Sequence, residues 1–452
     1  MIRIFKFLNF FLIFLSIILV VFTIYKIRSN DGYSVYFQYL IFFTFLIVFF
    51  VVINFFKDQY FINISLVLYS LIFSSYFVEL IVPSQKKNID IQKLRQHIAQ
   101  KLNIKFDKRT SFEVFNDLNA SGIKTVPYIH PSEFISSDGL KTKNEKKLFS
   151  FSGISNINTI LCNENGYWTF YQSDNYGFNN PNIIWKEKEL DAIIVGDSYG
   201  HGACVKQSEQ LGNLISNKIK VINLSYSGNG PLTYLASLKE YLKKKNTKYI
   251  IWLHYEGNDM YDLEQELNSN LLKKYLTQKN FSQNLLNRQK EIDKLLNNEI
   301  KVRLNNRKNK NYPNKTKYNV LSFIKLTNVR SYIFNFHIQN NLLYSKQTES
   351  FYKKVIDELL NFSKEKNIKI VYVYLPSYAR YDSFIQKYYL NKQKKLIKNT
   401  LKNKNIAFLD FDYEITRNNL DPKKNFPFRK NGHYTPGGYK KLSNFIVDKL
   451  NF

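Results

Sequence analysis

The chain has 452 residues, enough for more than one folded unit, and its Lys and Arg (65) outnumber Asp and Glu (36) for a formal net charge of +29. The lysines are scattered rather than blocked and no helix-turn-helix, zinc-finger or RNA-binding signature accompanies them, so no nucleic-acid partner is expected; an anionic glycan or a lipid surface stays open. Cys162 and Cys204 are the only cysteines and neither sits in a Cys-x-x-Cys pair, so neither a metal site nor a cofactor is expected.

Three stretches near the start, 5–27, 35–56 and 60–82, are nearly free of charge and about 20 residues or longer, the length that crosses about 30 Å of hydrocarbon. They predict a membrane anchor of three transmembrane helices over residues 1–83. The sequence "YKIRSN" after the first stretch offers no small-residue cleavage site, which argues against a removed signal peptide. Arg3 and Lys6 favour an N-terminus inside the cell, which through three spans places the large domain outside. Lys86, Lys87, Lys93 and Arg95 pull the other way.

Residues 84–185 read as a membrane-proximal accessory segment. "NIDIQKLRQHIAQKLNI" has helical spacing with Asp90 at its start, and "FEVFNDLNASGI" is a second helix closed by Gly122. "TVPYIHP" is extended between prolines, and its His130 reads as structural. Residues 151–185 alternate apolar and polar positions between Asn-Gly and Tyr-Gly turns, predicting short strands laid against the next domain.

From about 186 to 452, apolar runs alternate with amphipathic helices. That rhythm predicts an α/β domain with a parallel sheet covered by helices on both faces, and active groups at the carboxyl ends of its strands. Residues 262–345 break the rhythm and read as a basic helical insertion, with a loop at "NRKNKNYPNKTK" and the capacity to cover the site.

Four strand or helix boundaries carry chemistry. "DAIIVGDSYG" ends a strand at Gly196-Asp197-Ser198, and "NLSYSGNGP" places Gly228 after the next strand. "HYEGND" places Asn258 after the third, and "NGHYTPGGY" supplies His433 before the last helix. A serine hydroxyl needs a base, which an imidazole is near neutral pH, and a tetrahedral oxyanion needs fixed donors, which a glycine N–H supplies without obstruction. His201 lies nearer to Ser198 in sequence but need not face it, and His254 falls within a strand.

These four blocks, in this order, resemble the SGNH (GDSL) hydrolase superfamily over about 186–261 and 350–452, and the "SDNYGFNNP" lead-in resembles membrane-attached bacterial members. The resemblance implies a flavodoxin-like α/β sheet. It implies Ser198 as nucleophile, His433 as general base, and an oxyanion hole from the Ser198 and Gly228 N–H groups and the Asn258 amide. The function it implies is a membrane-tethered esterase or O-acyltransferase acting on acyl esters of a cell-surface glycan or lipid, in a bacterial inner membrane with the catalytic domain on the extracytoplasmic side. One position departs from the pattern: Lys430 stands three residues before His433, where a full triad carries Asp. A backbone carbonyl or one of Asp410, Asp412 and Asp421 is expected beside the ring instead, with Asp421 in the approaching loop foremost. The alternative is a catalytically silent glycan-binding or assembly protein. Cys162 and Cys204 are expected to lie close enough to bridge, which would suit an exported domain.

Overall fold

Hydropathy decides the first part of the chain. In this computed structural model, which describes residues 2–28, 33–81, 91–142, 144–243, 245–308, 323–324, 326, 328–329, 344–417 and 421–451, the apolar stretches form α1 (Ile2–Arg28), α2 (Tyr33–Ile53) and α3 (Asp58–Ile81). The expectation of three spans is corrected to two candidates: among the described residues, α1 and α3 are long and apolar enough to cross a membrane. Within these helices Asn9 Nδ2 donates to the backbone of Phe50 at 2.9 Å and to the side chain of Asn54 at 3.0 Å. The three helices group with residues 314–336 and 345–347 in one compact unit. Within it the Glu79 carboxylate accepts the N–H groups of Asn328 (2.9 Å) and Val329 (2.8 Å).

The second unit holds residues 88–313, 337–344 and 348–452. It opens with α4 (Ile91–Lys101) and α5 (Ser111–Ala120); Asp90, expected to start the first, lies outside the described residues. Thr110 and Glu113 form a reciprocal cap that fixes where α5 begins. Next come β1 (Thr125–Pro127), a small ladder of β2 (Leu140–Lys141) and β3 (Lys147–Leu148), and β4 (Asn158–Ile160) antiparallel to β5 (Phe170–Gln172).

The main sheet is built from β6 (Glu189–Val195), β7 (Val221–Asn223), β8 (Asn246–Tyr255), β9 (Lys369–Leu375) and β10 (Ala407–Asp410). All pairings are parallel and the spatial order is β10-β9-β8-β6-β7. Counted in chain order from β6, that is 2-1-3-4-5, the flavodoxin-like arrangement whose crevice opens where the winding reverses, at the carboxyl ends beside the first strand. Alternation along β6 sends Ile193 and Val195 to one face and Ala192 and Ile194 to the other, and each face has its own buried core.

Helices cover both faces: α6 (Ser198–His201), α7 (Leu211–Ser216), α8 (Pro231–Tyr241), α9 (Asp259–Glu266), α10 (Asn270–Thr277), α11 (Gln289–Lys308), α12 (Lys346–Glu365), α13 (Ala379–Asp382), α14 (Phe384–Lys402), α15 (Phe411–Thr416) and α16 (Pro436–Leu450). The stretch read as an insertion is in good part structural, since Leu263, Leu272, Ile292 and Leu296 of α9–α11 are fully buried in the first core. The basic loop expected at 306–317 lies, from 309 onward, outside the described residues. The accessory segment enters the same core through Phe149, Phe151, Tyr171 and Phe178.

Candidate active site

Ser198 is the first residue of α6, directly beyond the carboxyl end of β6. Asp197 caps the helix, its Oδ1 accepting the Tyr199 N–H at 2.8 Å, and its Oδ2 lies 3.3 Å from the half-buried Ser198 hydroxyl. Burial, aided by the charge of Asp259, pushes the Asp197 carboxyl up to about 7. Asn223, at the end of β7, pins the other end of α6 by donating to Gly200 O at 2.8 Å. The lead-in motif pins Asn223 in turn: Asn180 exchanges hydrogen bonds with its backbone at 2.8 and 3.0 Å, and Asp174 accepts Asn180 Nδ2 and Trp185 Nε1, both at 2.8 Å. Its asparagines and aspartate thus build the turn that presents the serine.

His433 lies in the loop before α16. Tyr199, the neighbour of Ser198, bridges to it: its hydroxyl donates to Gly432 O at 2.8 Å and its ring lies 5.0 Å from the imidazole, 3.8 Å from Tyr255 at the end of β8 and 4.8 Å from Tyr434. Among the described residues no hydrogen bond joins the Ser198 hydroxyl to His433, the hydroxyl's recorded partner being Asp197.

The acid beside His433 is Glu164, which the sequence reading did not find. Its Oε2 accepts the His433 backbone N–H at 2.6 Å and lies 3.2 Å from Nδ1. With the proton kept on Nδ1 and donated to the carboxylate, Nε2 keeps its lone pair, the tautomer a general base requires. Arg95 of α4 holds the other side, 3.3 Å from Glu164 Oε1, and donates to Asn431 O at 2.5 Å. Gly432 makes the close approach possible, because a Cβ there would stand 2.5 Å from Arg95 Nη2 and 2.7 Å from Glu164 Oε2. Burial alone would raise the Glu164 carboxyl, but His433 and Arg95 outweigh it and hold it at about 2. Burial likewise disfavours the imidazolium, yet the Glu164 charge wins and leaves the His433 pKa raised above 6.5.

The three aspartates expected there are occupied elsewhere, and strand order explains it. β10 stands three positions from β6 across the sheet, about 14 Å at the usual strand spacing. Asp410 caps α15 and pairs with Lys394 at 2.8 Å. Asp412 takes Tyr381 and Lys394 at 2.8 Å each. Asp421 caps a short turn through the Lys423 N–H at 3.0 Å and pairs with Arg429.

Cys162 and Cys204 form a disulfide with their Cα atoms 5.1 Å apart. It joins the strand end two residues before Glu164 to the turn after α6, and Cys204 Sγ lies 3.6 Å from His433 Nδ1. The pairing was also the one signal that could have located Glu164, since it ties "CNEN" to the loop following the serine.

Gly228 has φ +86°, a conformation that favours glycine, in the turn after β7, and Asn258 caps α9 beyond β8 with its Oδ1 buried and unpartnered. Both therefore lie at the same carboxyl edge as Ser198. His130, read as structural, reaches this edge too: a Cβ on Gly228 would stand 3.0 Å from its Nδ1. His201 is a core residue, fully buried against Tyr171 and Tyr226 and pushed down to about 3 by burial. His254 is equally buried, 3.1 Å from Asp259.

No family model matches the chain, and no curated protein does. Two of the solved structures similar to it illustrate the likeness. A candidate lipolytic protein of the G-D-S-L family from Desulfitobacterium hafniense DCB-2 has a TM-score of 0.32 at 10% identity, covering 58% of this chain and 99% of that one. A candidate acylhydrolase from Bacteroides fragilis NCTC 9343 has a TM-score of 0.31 at 13% identity, covering 61% and 91%. The class rests instead on the strand order and on the four blocks at one sheet edge, which agree with an SGNH-like fold.

Proposed function

We propose that this chain is a membrane-tethered serine esterase or O-acyltransferase of the SGNH (GDSL) type, working through an acyl-enzyme on Ser198. The observation that carries the reading is the Glu164–His433 contact at 3.2 Å, because a carboxylate on Nδ1 readies the other ring nitrogen to take a proton. In this scheme Ser198 Oγ attacks the ester carbonyl while His433 Nε2 takes its proton. The Ser198 and Gly228 N–H groups and the Asn258 amide receive the oxyanion. His433 then returns the proton to the departing alcohol, and water or a sugar hydroxyl takes the acyl group by the reverse route. The substrate class is an acyl ester of a cell-surface glycan or lipid. The disulfide fits an oxidising compartment, which supports the large domain lying on the extracytoplasmic side.

A second reading, a catalytically silent glycan-binding or assembly protein, draws on the Ser198 hydroxyl facing Asp197 rather than an imidazole. Resting sites are often looser than reacting ones, so chemistry must decide. A fluorophosphonate probe should label the detergent-solubilised protein covalently and leave Ser198→Ala unlabelled. Absence of labelling in the unmodified protein would favour the silent reading.

A further inference from the structure

We propose that the Cys162–Cys204 disulfide is a positioning element of the catalytic site, setting the Glu164–His433 pair and making turnover depend on the thiol–disulfide state of the protein. The inference rests on the reading of His433 as the base, and it goes beyond it by assigning a role to a bond outside the triad.

Four observations converge. The bond fixes the backbone two residues from the Glu164 carboxylate on one side, and on the other the turn six residues beyond Ser198. Asn165 Nδ2 donates to Cys204 O at 2.9 Å, so the two loops touch again next to the bond. Cys204 has φ +63°, a left-handed conformation that costs a non-glycine residue and persists only where its surroundings impose it. Lastly, Cys204 Sγ stands 3.6 Å from His433 Nδ1, the nitrogen that Glu164 also faces.

Reduction by dithiothreitol passes two electrons to the bond. The reagent closes to its cyclic disulfide, and each protein sulfur leaves as a thiol carrying one proton. The covalent tie that imposes the left-handed turn at Cys204 is then gone, and the loop bearing Glu164 keeps only hydrogen bonds. The new Cys204 thiol lies beside Nδ1, and as a neutral group it displaces Glu164 from that nitrogen without replacing the carboxylate's charge. The ionisable groups that act on His433 are Glu164, Arg95 and Asp197, with His130 and His201 also within electrostatic reach. Loss of the nearest carboxylate therefore changes the ring's titration. Because the sequence contains only these two cysteines, reduction acts on this bond alone.

The test is a cycle on the full chain in detergent: oxidised and reduced protein, each with and without Glu164→Gln, in acetyl-ester hydrolysis and in NMR titration of the His433 ring. Reduction should lower kcat about tenfold with KM little changed, and should move the His433 titration to lower pH. In the Glu164→Gln background reduction should change kcat less than twofold, because the bond acts through the carboxylate. The Cys162→Ser/Cys204→Ser variant, checked for folding by circular dichroism, should match the reduced protein in kcat. Equal effects of reduction in both backgrounds would make the bond merely structural and overturn the proposal. So would an unchanged His433 titration, which is read even if no ester is hydrolysed. Failure of the esterase reading is distinguishable, because it removes fluorophosphonate labelling from the oxidised protein.

Discussion

Replacing Glu164 by Gln removes one charge and leaves the side chain's size nearly unchanged. One charge-assisted hydrogen bond at Nδ1 is lost or weakened, and such bonds contribute about 1.5–3 kcal/mol. If that full amount is missing from the transition state, kcat/KM falls about 10- to 150-fold. The pH profile must move as well. In the unmodified protein the His433 pKa is raised above 6.5, because the Glu164 charge overcomes burial, so the rising limb of activity lies above pH 6.5. Without that charge, burial and Arg95 both act to lower the pKa, and the limb moves to lower pH. Stability follows a matching window. A depressed carboxylate stabilises above its ordinary value of 4.5 and loses that contribution as pH falls towards about 2. A raised histidine stabilises fully below 6.5 and loses its contribution as pH rises through its folded value. The melting-temperature deficit of Glu164→Gln should therefore be greatest between pH 4.5 and 6.5. The assays are acetyl-ester hydrolysis from pH 5 to 9 and thermal melts over a wider range. A limb that stays in place or moves to higher pH would refute the pairing.

Asn258→Ala should lower kcat by about 10²–10³-fold if the amide serves the oxyanion, yet cost little stability, because its Oδ1 is buried without a partner in the resting fold; a large melting-temperature loss with kcat intact would reverse that assignment. Asp197→Asn keeps the helix cap and removes a carboxyl that burial raises from 3.8 to about 7; it should stabilise the fold above pH 7 by up to about 4 kcal/mol, with the gain vanishing below pH 3.8. Urea melts at pH 8 and pH 3.5 measure both ends. Arg380→Met strands Glu256, which is fully buried and accepts from Arg380 Nε at 2.9 and 3.0 Å, so it should cost about 3–5 kcal/mol; a melt within 1 °C of the unmodified protein would contradict this. Protease added to intact spheroplasts should digest the large domain, whereas complete protection would place that domain inside.

The parts of the site that sequence made legible are those written in contiguous residues. Gly196-Asp197-Ser198 needed only an apolar run before it, and His433 only the helix that follows it. The parallel sheet was legible because its strands are apolar on both faces. Glu164 was not legible, since it sits in a turn whose composition, Asn-Glu-Asn-Gly, resembles any surface loop, and its meaning comes from Arg95 and His433 far along the chain. Asp410 and Asp412 misled because only the strand order fixes how far the end of β10 lies from β6, and because the strand stops at Asp410, leaving Asp412 in the helix that follows. The helices after Asn258 were hidden by composition: many lysines and asparagines surround the few apolar positions, such as Leu272 and Ile292, that drive their burial.

The chain of contacts from Arg95 through Glu164 to His433 also bears on biogenesis. Arg95 and Asn431, joined by a hydrogen bond, are separated by 336 residues, so the first described helix of this unit must wait for a segment made long after it. On the proposed reading His433 follows Ser198 by 235 residues, so at about 5–20 residues per second a nascent chain spends roughly 12–47 s with Ser198 already made and no base beside it. Loop closure of that span is slow to find and is driven only by contacts formed late. On the proposed reading, catalytic competence would then arrive once, when the segment bearing His433 has been made and docked, and shorter products would carry the nucleophile without the means to activate it.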